Sequence, residues 1–192
     1  MNRLKQMLIL IVGVLGFSGC SQMKASQFAE YSPRFVPEEY FLGRGQAHGV
    51  FFDRFGKMRK SFQLTLEGRL EGDLLILAED LRYSDGRQLN REYRIQKKDD
   101  HHYTVTSEAF EGEGRIESYG NVLNWKYVLK EEIGGDIWHL SFDDWMFLQE
   151  DGVVLNRAYA SKFGLSVGEV FLTFRKGASA ENEVVAQDDG NS

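Results

Sequence analysis

Four charged side chains alternate with apolar residues along predicted β-strands. They are the main candidates for a functional site, because charged residues are unusual at such positions. Glu79 and Asp144 alternate with leucine and aromatic residues, and Arg91 and Arg157 do the same in two other segments. Because alternate residues of a strand lie on one face, we expect all four charged groups to point towards the apolar side of the sheet.

An unpaired charge in an apolar interior is very unfavourable, so these groups should form ion pairs, contact water or meet the polar head of a ligand. In an ion-pair network they would stabilise the fold. At a ligand site, Arg91 or Arg157 would bind a carboxylate or phosphate group. A third interpretation is catalysis, with Glu79 and Asp144 acting together across the interior as acid and base.

Aromatic residues accompany these charges. Tyr93 shares a face with Arg91, and several aromatic residues of later segments are candidates to line an apolar cavity. These residues are Trp125, Tyr127, Trp138, Trp145 and Phe147. Aromatic residues on strand faces also form ordinary core, so both interpretations stay open. The predicted ligand-binding residues are Glu79, Arg91, Tyr93, Trp125, Tyr127, Asp144 and Arg157.

Other arrangements that could carry chemistry are weaker. The segment 99–102, Asp-Asp-His-His, contains potential metal ligands, but neighbouring residues of a strand point to opposite faces, so a solvated hairpin tip is favoured. The sequence has no GxSxG, HExxH, P-loop or GxGxxG motif. We therefore predict no metal site, no cofactor and no enzymatic activity.

The segments that position these residues are predicted to be strands. Residues 59–70 alternate between apolar and polar side chains, which is the period of a half-buried strand. Turn residues recur between ten such segments, at about 45–53, 58–70, 74–83, 88–97, 101–107, 112–119, 122–132, 136–148, 153–161 and 168–176. Short connections between them predict an antiparallel meander.

A meander of about ten strands avoids exposed edges by closing, so we predict an all-β, lipocalin-like (calycin-type) barrel. An open, strongly bent sheet or a two-sheet sandwich is the alternative. The barrel domain is assigned to residues 43–176, after a tether with a short turn or helix at 20–42. Residues 177–192 carry acidic and no basic or aromatic side chains, which predicts a disordered acidic tail.

The first residues indicate the subcellular location of the protein. A charged start and an aliphatic run over residues 7–15 match a secretory signal, assigned to 1–19. The sequence Phe17-Ser18-Gly19-Cys20 resembles a bacterial lipobox, which implies acylation of Cys20. An ordinary signal peptide with a chance cysteine is the alternative. Because Ser21, and not aspartate, follows, the resemblance implies the periplasmic side of the outer membrane.

Composition limits the remaining classes. The chain has 192 residues, 42% of them hydrophobic and 13% aromatic, which suits one folded domain. The net charge of -6 argues against nucleic acid as a partner. The single cysteine excludes an internal disulfide. Nothing in the sequence identifies a protein partner.

Several short blocks carry a resemblance to a known family. They include the segments 79–86, 123–127 and 142–146, the Leu-Asn-Arg at 155–157 and the Lys-Phe-Gly at 162–164. In this order they resemble an uncharacterised family of proteobacterial lipoproteins, domain of unknown function 3833, over about residues 40–175. Tyr93 stands where that family favours tryptophan. The resemblance implies a lipoprotein and no particular activity.

Together these observations predict a membrane-anchored lipoprotein that binds or carries an apolar small molecule, such as a lipid or fatty acid, in the periplasm. Two other functions stay open. One is a non-catalytic interaction or assembly lipoprotein with a solid barrel core. The other is a lipid-modifying enzyme, which would need an open pocket converging on Glu79, Asp144 and Arg91.

Overall fold

The computed structural model describes residues 23–177, in which ten strands form one closed antiparallel barrel. The strands are β1 Gly43–Asp53, β2 Met58–Glu71, β3 Leu74–Tyr83, β4 Gln88–Lys97, β5 His102–Thr106, β6 Gly114–Tyr119, β7 Val122–Ile133, β8 Asp136–Leu148, β9 Val154–Lys162 and β10 Leu165–Lys176. Each strand pairs with the next, and β10 pairs with β1. The predicted all-β meander closed into a barrel is confirmed, and the open sheet and the sandwich are wrong.

Alternation along the strands explains why these segments pair and where the core lies. In β2, Leu64 and Leu66 are buried inside the barrel, whereas Gln63 and Thr65 are exposed. A slip of one residue in register would exchange these two faces, so the hydrophobic pattern specifies the pairing. The predicted strand bounds lie close to the observed ones, and the largest difference is that β10 begins at Leu165.

The barrel has two different ends. The turns after β1, β3, β5, β7 and β9 lie at one end, which we call the open end. The turns after the other strands lie at the closed end, where the residues that precede β1 cross the barrel. This N-terminal segment contains a 3₁₀ turn, Ala25–Phe28, and a short helix, Pro37–Tyr40.

The N-terminal segment forms the floor of the barrel. Phe35 and Phe41 are almost completely buried, and the Phe41 ring packs edge-on against that of Phe174 at 6.3 Å. Gly68 makes this crossing possible, because a Cβ there would lie 1.8 Å from the carbonyl oxygen of Phe41. The hydroxyl of Tyr40 donates a hydrogen bond of 3.0 Å to the Gly152 carbonyl at the same end.

Several predictions concern residues outside the described range. The signal peptide at 1–19, the acylated Cys20 and the acidic tail beyond Gly177 lie outside residues 23–177. Among the residues that are described, no helix has the length and apolar character needed to cross a membrane.

Candidate functional site

A cavity of about 350 Å³ lies inside the barrel. Near the floor its lining is apolar, with Phe41, Leu66, Leu77, Met146 and Phe174. Near the open end its lining includes charged and polar groups, among them Lys60, Tyr83 and Glu131. This volume is at the lower end of the range of roughly 300–1,000 Å³ typical of small-molecule sites.

Six of the seven predicted ligand-binding residues line this cavity. They are Glu79, Arg91, Tyr93, Trp125, Tyr127 and Asp144. The strands bring them together because each lies on the inner face of its strand, as the alternation predicts. The structure therefore places three of the four singled-out charges inside the barrel.

Arg157 is the exception, and its predicted inward position is wrong. Its side chain lies on the outer wall, where its Nη2 is 2.7 Å from Glu169 and its guanidinium is 4.7 Å from the centre of the Tyr159 ring. The inner face of β9 carries the small residues Ala158 and Ala160 instead. The larger apolar residues of β9 face outwards. The prediction took the face with the larger apolar residues as the inner one, and for β9 this was wrong.

Arg91 is the centre of an ion-pair network in the cavity wall. Its Nη2 lies 2.9 Å from Glu131 Oε2, and its Nη1 lies 4.0 Å from Glu79 Oε2. The side chains of Arg91 and Glu79 are each 13% exposed. Arg87 extends the network towards the open end, with Nη2 3.4 Å from Glu131 Oε1. The buried arginine thus has a carboxylate on each side.

Glu79 also accepts a hydrogen bond of 2.7 Å from the hydroxyl of Tyr93. Burial raises the pKa of the Glu79 carboxyl, while Arg91 and Tyr93 favour its charged form and oppose that shift. A buried carboxylate loses its contacts with water, and here the arginine and the phenol replace them.

Asp144 forms a second polar group on the opposite side of the interior. The side-chain amide of Asn156 donates to Asp144 Oδ1 and to the Trp145 carbonyl, the latter at 3.1 Å. Burial raises the pKa of Asp144 to about 7, although the hydrogen bonds from Asn156 and Tyr127 favour the carboxylate. This carboxyl is therefore poised to exchange its proton near neutral pH.

A row of stacked rings covers one wall between these polar groups. Tyr127 lies between Phe110 and Phe142, with ring centres at 4.8 and 5.2 Å and nearly parallel planes. Trp125 packs edge-on against Tyr93 at 5.3 Å. Of these rings, those of Tyr93, Trp125, Tyr127 and Phe142 line the cavity and supply apolar surface that would contact a ligand.

A sequence profile described as "Protein of unknown function (DUF3833)" matches residues 14–176. The chain belongs to this family. The match covers the entire barrel together with the N-terminal segment that closes it. No curated protein matches the chain.

Three of the aromatic residues considered for the cavity of this DUF3833 chain do not line it. Trp138 is one of them, and its ring centre lies 3.6 Å from the Lys162 ammonium. Trp145 and Phe147 face outwards from β8, where Trp145 packs with Ala25 of the 3₁₀ turn. The ring of Phe28 contacts Phe147 at 6.0 Å. Their burial is explained by this N-terminal segment, whose docking the strand pattern does not reveal.

The sequence reasoning missed residues of the site. Glu131 alternates with Trp125, Tyr127 and Leu129 along β7, so the same parity argument would have placed it inside. Asn156 was missed because the inner face of β9 was assigned wrongly. Phe110, which packs against the lining residues Trp125 and Tyr127, lies in the loop between β5 and β6, where no periodicity applies and no sequence signal indicates this contact.

The remaining candidates of the DUF3833 chain are not gathered into a site. Asp99 accepts hydrogen bonds from His102 in the turn between β4 and β5, and His101 stacks on Tyr119 at 4.0 Å. No group of three or more potential metal ligands occurs within residues 23–177. A larger depression of about 780 Å³ lies on the outer wall, lined in part by His48 and Arg82, and it is open to solvent.

Proposed function

We propose that this chain is a lipid-anchored protein of the periplasm whose barrel binds or carries an apolar small molecule, of the class of a single-chain lipid or fatty acid. The observation that carries the proposal is the cavity inside the barrel, with an apolar floor and polar groups nearer its mouth. An amphiphile has the same distribution of apolar and polar surface. Burying its chain contributes about 0.8 kcal/mol per CH₂ group.

The size of the cavity supports one chain and not two. A volume of about 350 Å³ suits a single small molecule, and the floor formed by the N-terminal segment limits how deep it reaches. In this proposal the tail lies towards Phe41 and Phe174. The function then consists of holding the ligand away from water.

Charge indicates where a polar head would lie. Arg91 is already bound by Glu79 and Glu131, so an anionic head beside it would meet two carboxylates. Lys60 lines the cavity near its mouth, with its Nζ 5.1 Å from the centre of the Tyr83 ring. We therefore assign an anionic head to the mouth, beside Lys60, and give Arg157 no part in binding.

A fluorescent fatty acid, cis-parinaric acid, tests the proposal directly. We expect the purified full chain to bind this probe and to yield a lipid on solvent extraction and mass spectrometry. Ala158→Phe places a ring in the cavity and should reduce probe affinity at least roughly tenfold, because the space for the chain is lost. Thr173→Phe adds the same ring to the outer wall and should leave binding unchanged.

Circular dichroism of each variant shows whether the barrel has formed. If Ala158→Phe does not fold, Leu172→Trp is used in its place, because it also fills the cavity, from β10. Wild-type protein that yields no lipid and binds no probe contradicts the proposal. So does a folded, cavity-filled variant that binds the probe as tightly as wild type does.

The anchor is a separate part of the proposal, supported by the lipobox-like sequence before Cys20. Cells given labelled palmitate should incorporate the label into the wild-type chain and not into Cys20→Ser. Fractionation should place the labelled chain in the outer membrane. Equal labelling of both chains would contradict acylation at this residue.

A second candidate function is a non-catalytic interaction or assembly lipoprotein, favoured by the ion pairs that Arg91 forms inside the barrel. A purely structural network of this kind needs no ligand. The same probe experiment separates the two, because this function requires neither probe binding nor any effect of Ala158→Phe on it.

A further inference from the structure

Large apolar side chains are exposed on two neighbouring turns at the open end. Phe163 is 93% exposed and Leu165 is 70% exposed at the turn between β9 and β10. Phe55 is 79% exposed and Met58 is 54% exposed at the turn between β1 and β2. We call these four residues the rim patch. Clustered exposed apolar surface of this kind marks contact sites for membranes or other molecules.

The two turns are fixed to each other. The backbone N–H of Arg54 donates a hydrogen bond of 3.0 Å to the Val167 carbonyl, which joins the first turn to β10. The carboxylate of Asp53 accepts backbone hydrogen bonds from Phe55 at 2.9 Å and from Lys57 at 3.0 Å. The apolar side chains are therefore presented by a preformed surface.

The backbone conformation of Phe163 indicates that its side chain serves contact with another molecule and not the stability of the fold. Phe163 and Gly164 have φ of 53° and 78°, so both adopt the left-handed conformation of a tight two-residue hairpin turn. Asparagine and glycine favour this conformation, and a bulky aromatic residue does not. The Phe163 ring lies in solvent, 5.6 Å from the Lys162 ammonium, so it gains little packing in return.

The charges on the two turns that carry the rim patch have one predominant sign. Residues 53–59 and 162–165 contain four basic residues and one acidic residue, although the whole chain has a net charge of -6. The acidic residue, Asp53, is 2.6 Å from Arg59. Arg54 and Lys57 are exposed on the turn that carries Phe55. Apolar side chains flanked by cations match a surface of anionic lipid headgroups.

We propose that the rim patch docks on an anionic lipid surface, with the Phe55 and Phe163 rings entering the headgroup region. The patch surrounds one side of the cavity mouth, so docking would bring the mouth to the lipid. Vesicle binding does not require a ligand in the cavity, and this inference is therefore independent of the proposed ligand.

The geometry also distinguishes this surface from the proposed anchor. Met23 precedes the 3₁₀ turn that packs at the closed end. Cys20 is three residues earlier in the chain, a span of at most about 11 Å. An acylated Cys20 would thus hold the closed end, and the rim patch would meet a second lipid surface.

Partition onto lipid vesicles tests the proposal. The chain from residue 20 onwards, without the predicted signal at 1–19 and with Cys20→Ser so that it cannot be acylated, serves as the parent, and every variant has the same N-terminal residues. We expect it to bind phosphatidylcholine vesicles containing phosphatidylglycerol more tightly than phosphatidylcholine alone, and to lose that preference in high salt. Phe163→Asn should reduce partition on the order of tenfold, because the apolar contact is removed.

Phe163→Asn has a second readout that a structural role would not give. Asparagine suits the left-handed turn, so this variant should unfold at a higher temperature while it binds vesicles more weakly. Leu70→Ser, at the closed end, removes a side chain that is 46% exposed and should leave partition unchanged. Lys57→Glu should weaken binding only to the anionic vesicles.

Three results would overturn the proposal. The first is a parent chain that binds neither vesicle composition. A protein would then be the alternative partner of the rim patch. The second is a folded Phe163→Asn variant that partitions as the parent does. The third is equal loss of partition in Leu70→Ser. Probe binding by the same preparations shows separately whether the ligand proposal holds.

Discussion

The guanidinium of Arg91 lies 2.9 Å from the carboxylate of Glu131 and so joins β4 to β7, two strands that are not neighbours in the sheet. The contact is possible because β5 and β6 between them are short. The pair links two walls of the barrel through its interior, where both side chains border the cavity.

Replacement of Arg91 tests how much this link matters. Arg91→Met leaves Glu79 and Glu131 without their shared cation, and we expect it to lower the free energy of unfolding by about 3 kcal/mol. Urea unfolding followed by circular dichroism measures the change. The matched control is Arg157→Met on the outer wall, where the exposed pair with Glu169 should contribute less than about 1 kcal/mol. Equal losses in the two variants would contradict the difference in environment.

The hydroxyl of Tyr93 is the other support of the buried carboxylate. Tyr93→Phe removes its hydrogen bond of 2.7 Å to Glu79 and should cost about 2 kcal/mol, because a charged acceptor loses a donor in the interior. Tyr159→Phe, on the exposed outer wall, should change stability by less than about 0.5 kcal/mol. A Tyr93→Phe protein as stable in urea as wild type would show that water replaces the phenol.

The fold was predictable from the sequence because each strand carries its own signal. Alternation in β2 and recurrent turns between short segments predict both the number of strands and their order. Closure follows from the need to avoid free edges. The same reasoning located Glu79, Arg91 and Asp144 on inner faces, where large apolar neighbours define the face.

The rest depended on contacts between distant parts of the chain. On β9, Ala158 and Ala160 face inwards, so side-chain size assigned Arg157 to the wrong face. Trp145 is buried by the N-terminal segment, and no periodicity in β8 indicates that. The pairing of Arg91 with Glu131 depends on the curvature of the sheet and on the short strands β5 and β6 between them, which the pattern of β4 and β7 does not indicate.

Gly68 is predicted to hold the floor of the barrel in place. Gly68→Ala puts a Cβ 1.8 Å from the Phe41 carbonyl oxygen, and backbone on both sides leaves no inexpensive way to relieve the clash. We expect a loss of roughly 2 kcal/mol or more in urea unfolding. Trypsin should also cut faster after Arg34, beside the buried Phe35, as the N-terminal segment detaches.

Gly45→Ala is the matched control for this change. A Cβ at Gly45 would lie 3.4 Å from the Arg175 carbonyl oxygen, close to an ordinary contact distance. Its trypsin cleavage after Arg34 should resemble that of wild type. If Gly68→Ala and Gly45→Ala are cut equally fast, the close approach of Phe41 to β2 does not hold the N-terminal segment.

Asp144 predicts a pH dependence of stability with a definite sign. Burial raises its pKa to about 7 in the folded chain, against roughly 4 for an exposed aspartate. Between these values the folded chain binds more protons than the unfolded chain, so this group's contribution to stability falls as pH rises from 4 to 7. Above pH 7 the penalty is constant.

Asp144→Asn removes the buried charge and keeps an oxygen that accepts from Asn156. Urea unfolding should therefore show the variant gaining stability over wild type as pH rises from 5 to 8, by an amount on the order of a few kcal/mol. Asp136→Asn, at the exposed start of β8, should differ from wild type by the same amount at both pH values. A gap between Asp144→Asn and wild type that is the same at pH 5 and pH 8 would mean that Asp144 ionises normally inside the barrel, because only a raised pKa makes the cost of its charge depend on pH in this window.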